Sequence, residues 1–300
     1  MATLAFKCIL DAKDPITGLF WAPCHPVVHV FQKTGRELLI DVPHDSVRAC
    51  RDIAALKGSE KLEWSPCGRY GAIARAGYLA VWNAQKNKVV PSPPSSTVIE
   101  GMAWRPNPQN SEGELWLAGP FGLAIWPAEG DFRIRSEEPG SETSALTWDP
   151  TGTHLARACK GGGLLIWNPR TNQRTRLEGG GEYPIREFAW NSSGAILAGA
   201  STNSLFVWNI HSALHGRTHP RFVRRLNSPV SRLSFRPRSN ILAVGRIDGG
   251  LELLRVIGNG EGTGCAQLGA AVSHIAWSAH GKRLAMGTSS GQVYAMRVCK

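Results

Sequence analysis

One phrase recurs along this chain: an apolar residue, a small or polar residue, an aromatic, then a turn containing Pro or Gly. It reads Leu19-Phe20-Trp21-Ala22-Pro23, Leu62-Glu63-Trp64-Ser65-Pro66, Met102-Ala103-Trp104-Arg105-Pro106 and Leu146-Thr147-Trp148-Asp149-Pro150. It returns as Phe188-Ala189-Trp190-Asn191-Ser192, Leu233-Ser234-Phe235-Arg236-Pro237 and Ile275-Ala276-Trp277-Ser278-Ala279. The aromatics at 21, 64, 104, 148, 190, 235 and 277 are separated by 43, 40, 44, 42, 45 and 42 residues. A unit that short cannot bury an apolar face alone and must stack on copies of itself. A period of about 40–45 residues is that of a four-stranded propeller blade. The spacing predicts an all-β chain: a single seven-bladed β-propeller spanning residues 1–300.

The local chemistry agrees. Gly68, Gly152, Gly194 and Gly281 follow the aromatic where a tight hairpin needs a positive φ. A second apolar strand comes next, as in Ile196-Leu197-Ala198-Gly199-Ala200. A third is often closed by Trp, as in Leu79-Ala80-Val81-Trp82-Asn83, Leu123-Ala124-Ile125-Trp126, Leu164-Leu165-Ile166-Trp167-Asn168 and Leu205-Phe206-Val207-Trp208-Asn209. No long segment has helical periodicity. The last repeat ends on Gln292–Val298 without an outer strand, and Leu4–Leu10 has no other role. We therefore expect the N-terminal strand to pair with the last blade, closing the ring and removing exposed edges. Blade one reads as the least regular, with Glu37–Asp41 its only clear later strand. Pro91–Ser96 reads as a linker between blades.

The closing Trp-Asn pairs Trp82-Asn83, Trp167-Asn168 and Trp208-Asn209 resemble the Trp-Asp that names WD40 repeats, and with the seven repeats the whole chain resembles that family. The Gly-His dipeptide common in the family is missing. Its His-to-Asp-and-Trp network is therefore not expected, and the blades should rest on hydrophobic stacking between sheets.

Charge and cysteine usage bound the partners. Lys and Arg number 34 against 23 Asp and Glu, a net +11 that points to acidic partners: nucleic acid, phospholipid or an acidic protein face. Seven irregularly spaced cysteines without a C-x-x-C argue against a disulfide framework or a zinc site, and for reduced thiols in cytosol or nucleus. Met1–Asp14 holds only the apolar run Ile9-Leu10, and no stretch approaches the roughly 18 apolar residues of a membrane span, so a soluble protein is expected. Gly161–Gly163 and Gly179–Gly181 read as turns rather than phosphate cradles. His211, His215 and His219 recur every fourth residue but read as a polar surface loop rather than a metal site. No catalytic constellation appears, and neither an enzyme, a metal nor a cofactor is expected.

Two features bear on binding. Between Arg217 and Arg255 stand nine arginines opposed only by Asp248 and Glu252, a net +7. Arginine favours bidentate contact with carboxylate or phosphate. Arg221, Arg224, Arg225 and Arg238, placed in loops or turns, are the candidate contacts, and Arg232 is expected to point inward beside Leu233. The second feature is Trp167-Asn168-Pro169-Arg170. It resembles the Trp-Asp-x-Arg box by which some WD40 proteins dock a cullin ubiquitin-ligase adaptor, which implies contacts through Trp167 and Arg170.

Within WD40 proteins the order of blades resembles the aladin family of nucleoporins. The residues are Gly179-Gly180-Gly181 ahead of Phe188–Gly194, then Phe206-Val207-Trp208, Gly258–Gly262 and Trp277–Ala285. This resemblance implies a non-enzymatic scaffold of the nuclear pore complex, held at the nuclear envelope by an integral membrane nucleoporin. Members of that family also carry segments before and after the propeller, which are not expected within residues 1–300, so functions of those segments are not implied for this chain. The alternatives are a cullin-ligase substrate receptor and a nucleic-acid-associated adaptor.

Overall fold

The computed structural model describes all residues except 1, 23–25, 45, 76–77, 92–98, 107–112, 120–121, 128–142, 160–162, 180–183, 258–259 and 299–300. The chain forms seven sheets, each opening on a strand that carries one copy of the repeated phrase, and its fold is a seven-bladed β-propeller. Blade one is Ile16–Trp21, Val27–Gln32, Arg36–Asp41 and Ser46–Asp52. Blade two is Lys61–Trp64, Tyr70–Arg75, Tyr78–Asn83 and Lys88–Pro91. Blade three, among the described residues, is Gly101–Arg105, Glu114–Gly119 and Gly122–Pro127. Blade four is Thr143–Trp148, Leu155–Cys159, Leu164–Asn168 and Gln173–Leu177. Blade five is Glu187–Trp190, Ile196–Ser201, Ser204–Asn209 and Phe222–Arg225. Blade six is Val230–Phe235, Ile241–Arg246, Gly250–Arg255 and Glu261–Gln267. Blade seven is Val272–Trp277, Arg283–Thr288 and Gln292–Arg297, completed by Lys7–Asp11 from the start of the chain.

The chain divides into two compact units, residues 1–59 with 224–300, and residues 60–223. Within each, apolar clusters lie between successive sheets. In the first unit, Leu251 and Leu253 of blade six meet Trp277, Leu284 and Met286 of blade seven, while Val293 and Ala285 meet Leu19, Val28 and Val30 of blade one. In the second, Leu115, Leu117 and Trp126 of blade three pack on Ala72 and Val81 of blade two, and Trp116 and Leu123 on Trp148 and Trp167 of blade four. Each large side chain so buried contributes about 1.5–3 kcal/mol. Within each unit, stacking between successive sheets is therefore the main cohesive term, because each such seam buries several of these residues.

The closing strand differs in detail from expectation. Lys7–Asp11 pairs antiparallel with Gln292–Arg297, as the missing outer strand required. The residues before it do something else: Ala2–Thr3 pairs parallel with Glu261–Gln267 of blade six, and Leu4 N donates to Cys265 O at 2.7 Å. The first residues thus cover the outer edge of one blade before the chain crosses to finish the next. Blade one is also more regular than its sequence reads. Val27–Gln32 is buried on both faces apart from His29, so it carries no alternation, and Ser46–Asp52 is exposed along its whole length, so it carries no apolar signal. Most of the linker over 91–96, most of both glycine runs, Pro23 and the pair 258–259 lie outside the described residues.

Candidate interaction surface

The repeat aromatic does more than fill space. In three blades its indole Nε1 donates to the carbonyl just before the aromatic of the preceding blade. Trp21 reaches Ala276 O at 2.9 Å, Trp104 reaches Glu63 O at 3.0 Å, and Trp277 reaches Ser234 O at 3.2 Å. The residue after the aromatic clamps forward where it is arginine. Arg105 Nε donates to Gly152 O at 2.9 Å and lies over the Trp148 ring at 4.8 Å; Arg236 Nε donates to Gly281 O at 2.8 Å and lies over Trp277. The glycines in these turns let the neighbouring blade approach. Gly152 has φ +67, and a Cβ there would lie 1.9 Å from Pro106 O. Trp148 and Trp190 have buried indole nitrogens without a hydrogen-bond partner.

Asparagines shape the turns after the third strands of blades two, four and five. Asn83 Oδ1 accepts from Gln85 N and Lys86 N, Asn168 Oδ1 from Arg170 N and Thr171 N, and Asn209 Oδ1 from Ser212 N at 2.9 Å. Each is a side-chain cap of the backbone that an aspartate would also make. Two strand-closing tryptophans are held by a local asparagine. Trp82 Nε1 donates to Asn87 Oδ1 at 3.1 Å and Trp167 Nε1 to Asn172 Oδ1 at 3.2 Å. Asn87 and Asn172 have φ +48 and +57, a left-handed conformation asparagine tolerates. The signal was present in the sequence as Trp-Asn-x-x-x-Asn in blades two and four.

Buried ionisable groups are tied down. Burial pushes the Glu37 carboxyl up, but His29 and Arg51, both paired with it, outweigh this and hold it below the usual range. Asp149 behaves alike: burial is outweighed by His154, Thr151 and the backbone of the turn. In blade six Glu252 bridges Arg224, at 2.9 Å, and Arg246. His274 of blade seven is pushed down to about 3, first by burial and then by the Arg232 charge, with its ring bonded to the Thr17 carbonyl of blade one. Arg232 is half-buried and donates to Ser231 O at 2.7 Å, in keeping with an inward-facing position.

The sequence-derived contacts therefore separate. Arg221 and Arg225 are exposed. Arg224 is not available, since strand alternation turns it onto Glu252 and onto Gly260 O at 3.1 Å. Arg238 is exposed in the first turn of blade six, with φ +55. Trp167 is core, 5% exposed and edge-on to Trp116, so it cannot itself touch a partner; Arg170, two residues past the capping Asn168, is exposed. The three histidines do not converge. Ile210–Leu214 forms a one-turn helix rather than a plain loop, His215 Nδ1 bonds to His211 O at 2.8 Å, and His219 pairs with Glu178 at 3.1 Å. In the second unit the outer strand of blade four and the connection of blade five meet where Thr218 Oγ1 donates to Glu178 at 2.8 Å. Arg174, Arg176, Arg217 and Arg221 are exposed on these segments, and sequence reading passed over the two on blade four.

These seven sheets define a seven-bladed β-propeller, the fold seen in WD40-repeat proteins. In structure the chain is similar to U3-55K (TM-score 0.77, 14% identity, 98% of each chain) and to the WD40 repeats of RRP9 (TM-score 0.78, 14% identity, 100% of this chain and 99% of that one). At that identity the likeness shows the fold alone. In sequence, 90 residues are 30% identical to the retinoblastoma-binding protein 5 homolog of Drosophila melanogaster, covering 30% of this chain and 17% of that protein. The chain thus spans less than a fifth of that relative's length. No protein-family model matches the sequence.

Proposed function

We propose that this chain is a non-catalytic protein–protein interaction scaffold that receives an acidic partner on the outer margin of blades four and five. The observation that carries the reading is that Arg170, Arg174, Arg176, Arg217 and Arg221 are exposed there while the neighbouring Glu178 is already bonded to Thr218 and His219. Arginine forks on blades clamped to their neighbours are pre-organised, which lowers the ordering cost of binding. Proximity labelling in cells tests it. Reversing charge at Arg170, Arg217 and Arg221 to Glu should strip the labelled partner set, and an unchanged set refutes the reading.

In its finer form this scaffold is an aladin-like component of the nuclear pore complex, held by an integral membrane nucleoporin; the blade motifs support it. A tagged chain should then give a nuclear rim and label pore membrane proteins, whereas diffuse signal without pore partners overturns it. A second reading, a cullin-ligase substrate receptor, is favoured by the turn after Trp167. Asn168 makes the backbone caps an aspartate would make and presents Arg170 outward. Arg170→Ala should then abolish adaptor pull-down, and failure to recover adaptor with the unaltered chain removes this reading.

A further inference from the structure

The ends of blades six and seven that carry the repeat turns are predominantly cationic, with Glu261 standing across from Arg255. Arg236 and Arg238 stand in the turn after Phe235, and Arg255 closes the third strand of blade six. Lys282 and Arg283 follow the turn after Trp277, and Arg297 closes the third strand of blade seven. Backbone bonds knit these positions into a row: Val256 N to Asn240 O at 3.0 Å, and Val298 N to Lys282 O at 2.9 Å. Arg236 spans the two blades through Gly281 O.

Several other arginines of the same unit are spent on internal carboxylates. Arg48 and Arg51 of blade one pair with Asp41 and Glu37, and Arg224 and Arg246 share Glu252. Arg255, Lys282, Arg283 and Arg297 form no ion pair among the described residues. Arg283 and Arg297 are moreover direct cross-strand partners. Like charges in that position repel and destabilise the sheet, so folding alone gives no reason for them. An anion from outside does.

We propose that this row binds the phosphate backbone of a nucleic acid strand. A phosphodiester chain carries one negative charge per nucleotide and no cations of its own, which matches an extended row of cations crossing two blades. Five of the six are arginines, whose planar forks fit phosphate oxygens. A protein partner fits less well, because protein interfaces are anchored on buried aromatic or aliphatic side chains. The exposed large apolar residue nearest in sequence, Ile257, lies beyond Arg255 in the turn to the outer strand.

The test measures fluorescence anisotropy of a labelled mixed-sequence RNA of about 20 nucleotides with the full chain. With about four phosphate contacts, affinity should fall about fifty-fold between about 50 and about 200 mM salt. In the double variant Arg283→Gln, Arg297→Gln the fall should shrink to about seven-fold, since two contacts are lost. The same variant should melt about 1–2 °C higher, because the repelling pair is gone. A merely structural pair would give a lower melting temperature and unchanged binding. Arg255→Gln with Lys282→Gln, away from the cross-strand pair, should weaken binding without that gain in stability. RNA that fails to bind at low salt, or binds the double variant with the same salt dependence, overturns the proposal. So does a polyglutamate peptide of equal length that binds as tightly as the RNA, since the row would then be an acidic-protein site. Because the row and the margin of blades four and five lie in different units, either can fail alone.

Discussion

Acid should loosen this protein through His274 before any carboxylate matters. The imidazole has an ordinary value of 6.5 and is pushed down to about 3 in the fold, by burial and then by Arg232. It is therefore neutral when folded, while the unfolded chain takes up a proton as pH drops below about 6.5. A base with a depressed folded value contributes stability above its unfolded value and loses it progressively as pH falls toward the folded one. At pH of about 5 the loss amounts to up to about 2 kcal/mol. Glu37, Asp149 and Asp248 are held below their ordinary values, so their losses fall below about pH 4.5, outside this window. Urea unfolding at pH of about 7.5 and about 5, on the unaltered chain and on His274→Gln, isolates the term. The unaltered chain should lose up to about 2 kcal/mol more than the variant over that interval. Equal losses in the two proteins would refute the assignment of acid sensitivity to this histidine.

Three further substitutions probe the repeat. Asn172→Ala removes the acceptor of the Trp167 indole and places alanine at φ +57, and should cost about 1–3 kcal/mol by denaturant titration; Asn172→Gly, free of the backbone strain, should cost less. Gly152→Ala forces a methyl into Pro106 O and strains φ +67, so a loss of about 2 kcal/mol or more is expected, read as a lower melting temperature. Thr202, a β-branched residue at φ +43 in an exposed turn, works in the opposite direction: Thr202→Gly should stabilise by up to about 1 kcal/mol, and a destabilised variant would contradict the strain reading.

The blades were legible because the repeated aromatic and its turn recur at intervals set by four strands and their hairpins, which local composition alone reveals. Blade one was read poorly for the same reason: a strand buried on both faces and a strand exposed on both carry no alternation, whatever their pairing. The role of Asn87 and Asn172 was missed although both stand at a fixed distance from a strand-closing Trp, because only the left-handed turn brings the side chain back to the indole. Of the candidate contacts, Arg221, Arg225, Arg170 and Arg238 proved exposed, while Arg224 and Trp167 did not. Arg224 is separated from Glu252 by 28 positions, and a strand residue's partner across a sheet cannot be read from its neighbours in the chain.

The sequence by itself determined the number of blades, the residue at the heart of each and the pairing of the chain's start with its last sheet. Those depend on short-range pattern and on a count of strands. Only the tertiary structure decided which arginines are spent on internal carboxylates and which face outward, and that the indole of one blade fastens to the backbone of the one before it. It also revealed that Arg283 and Arg297 stand opposite each other. Such juxtapositions arise between strands and between blades, where Coulomb and hydrogen-bond terms depend on distances in space that position along the chain does not encode.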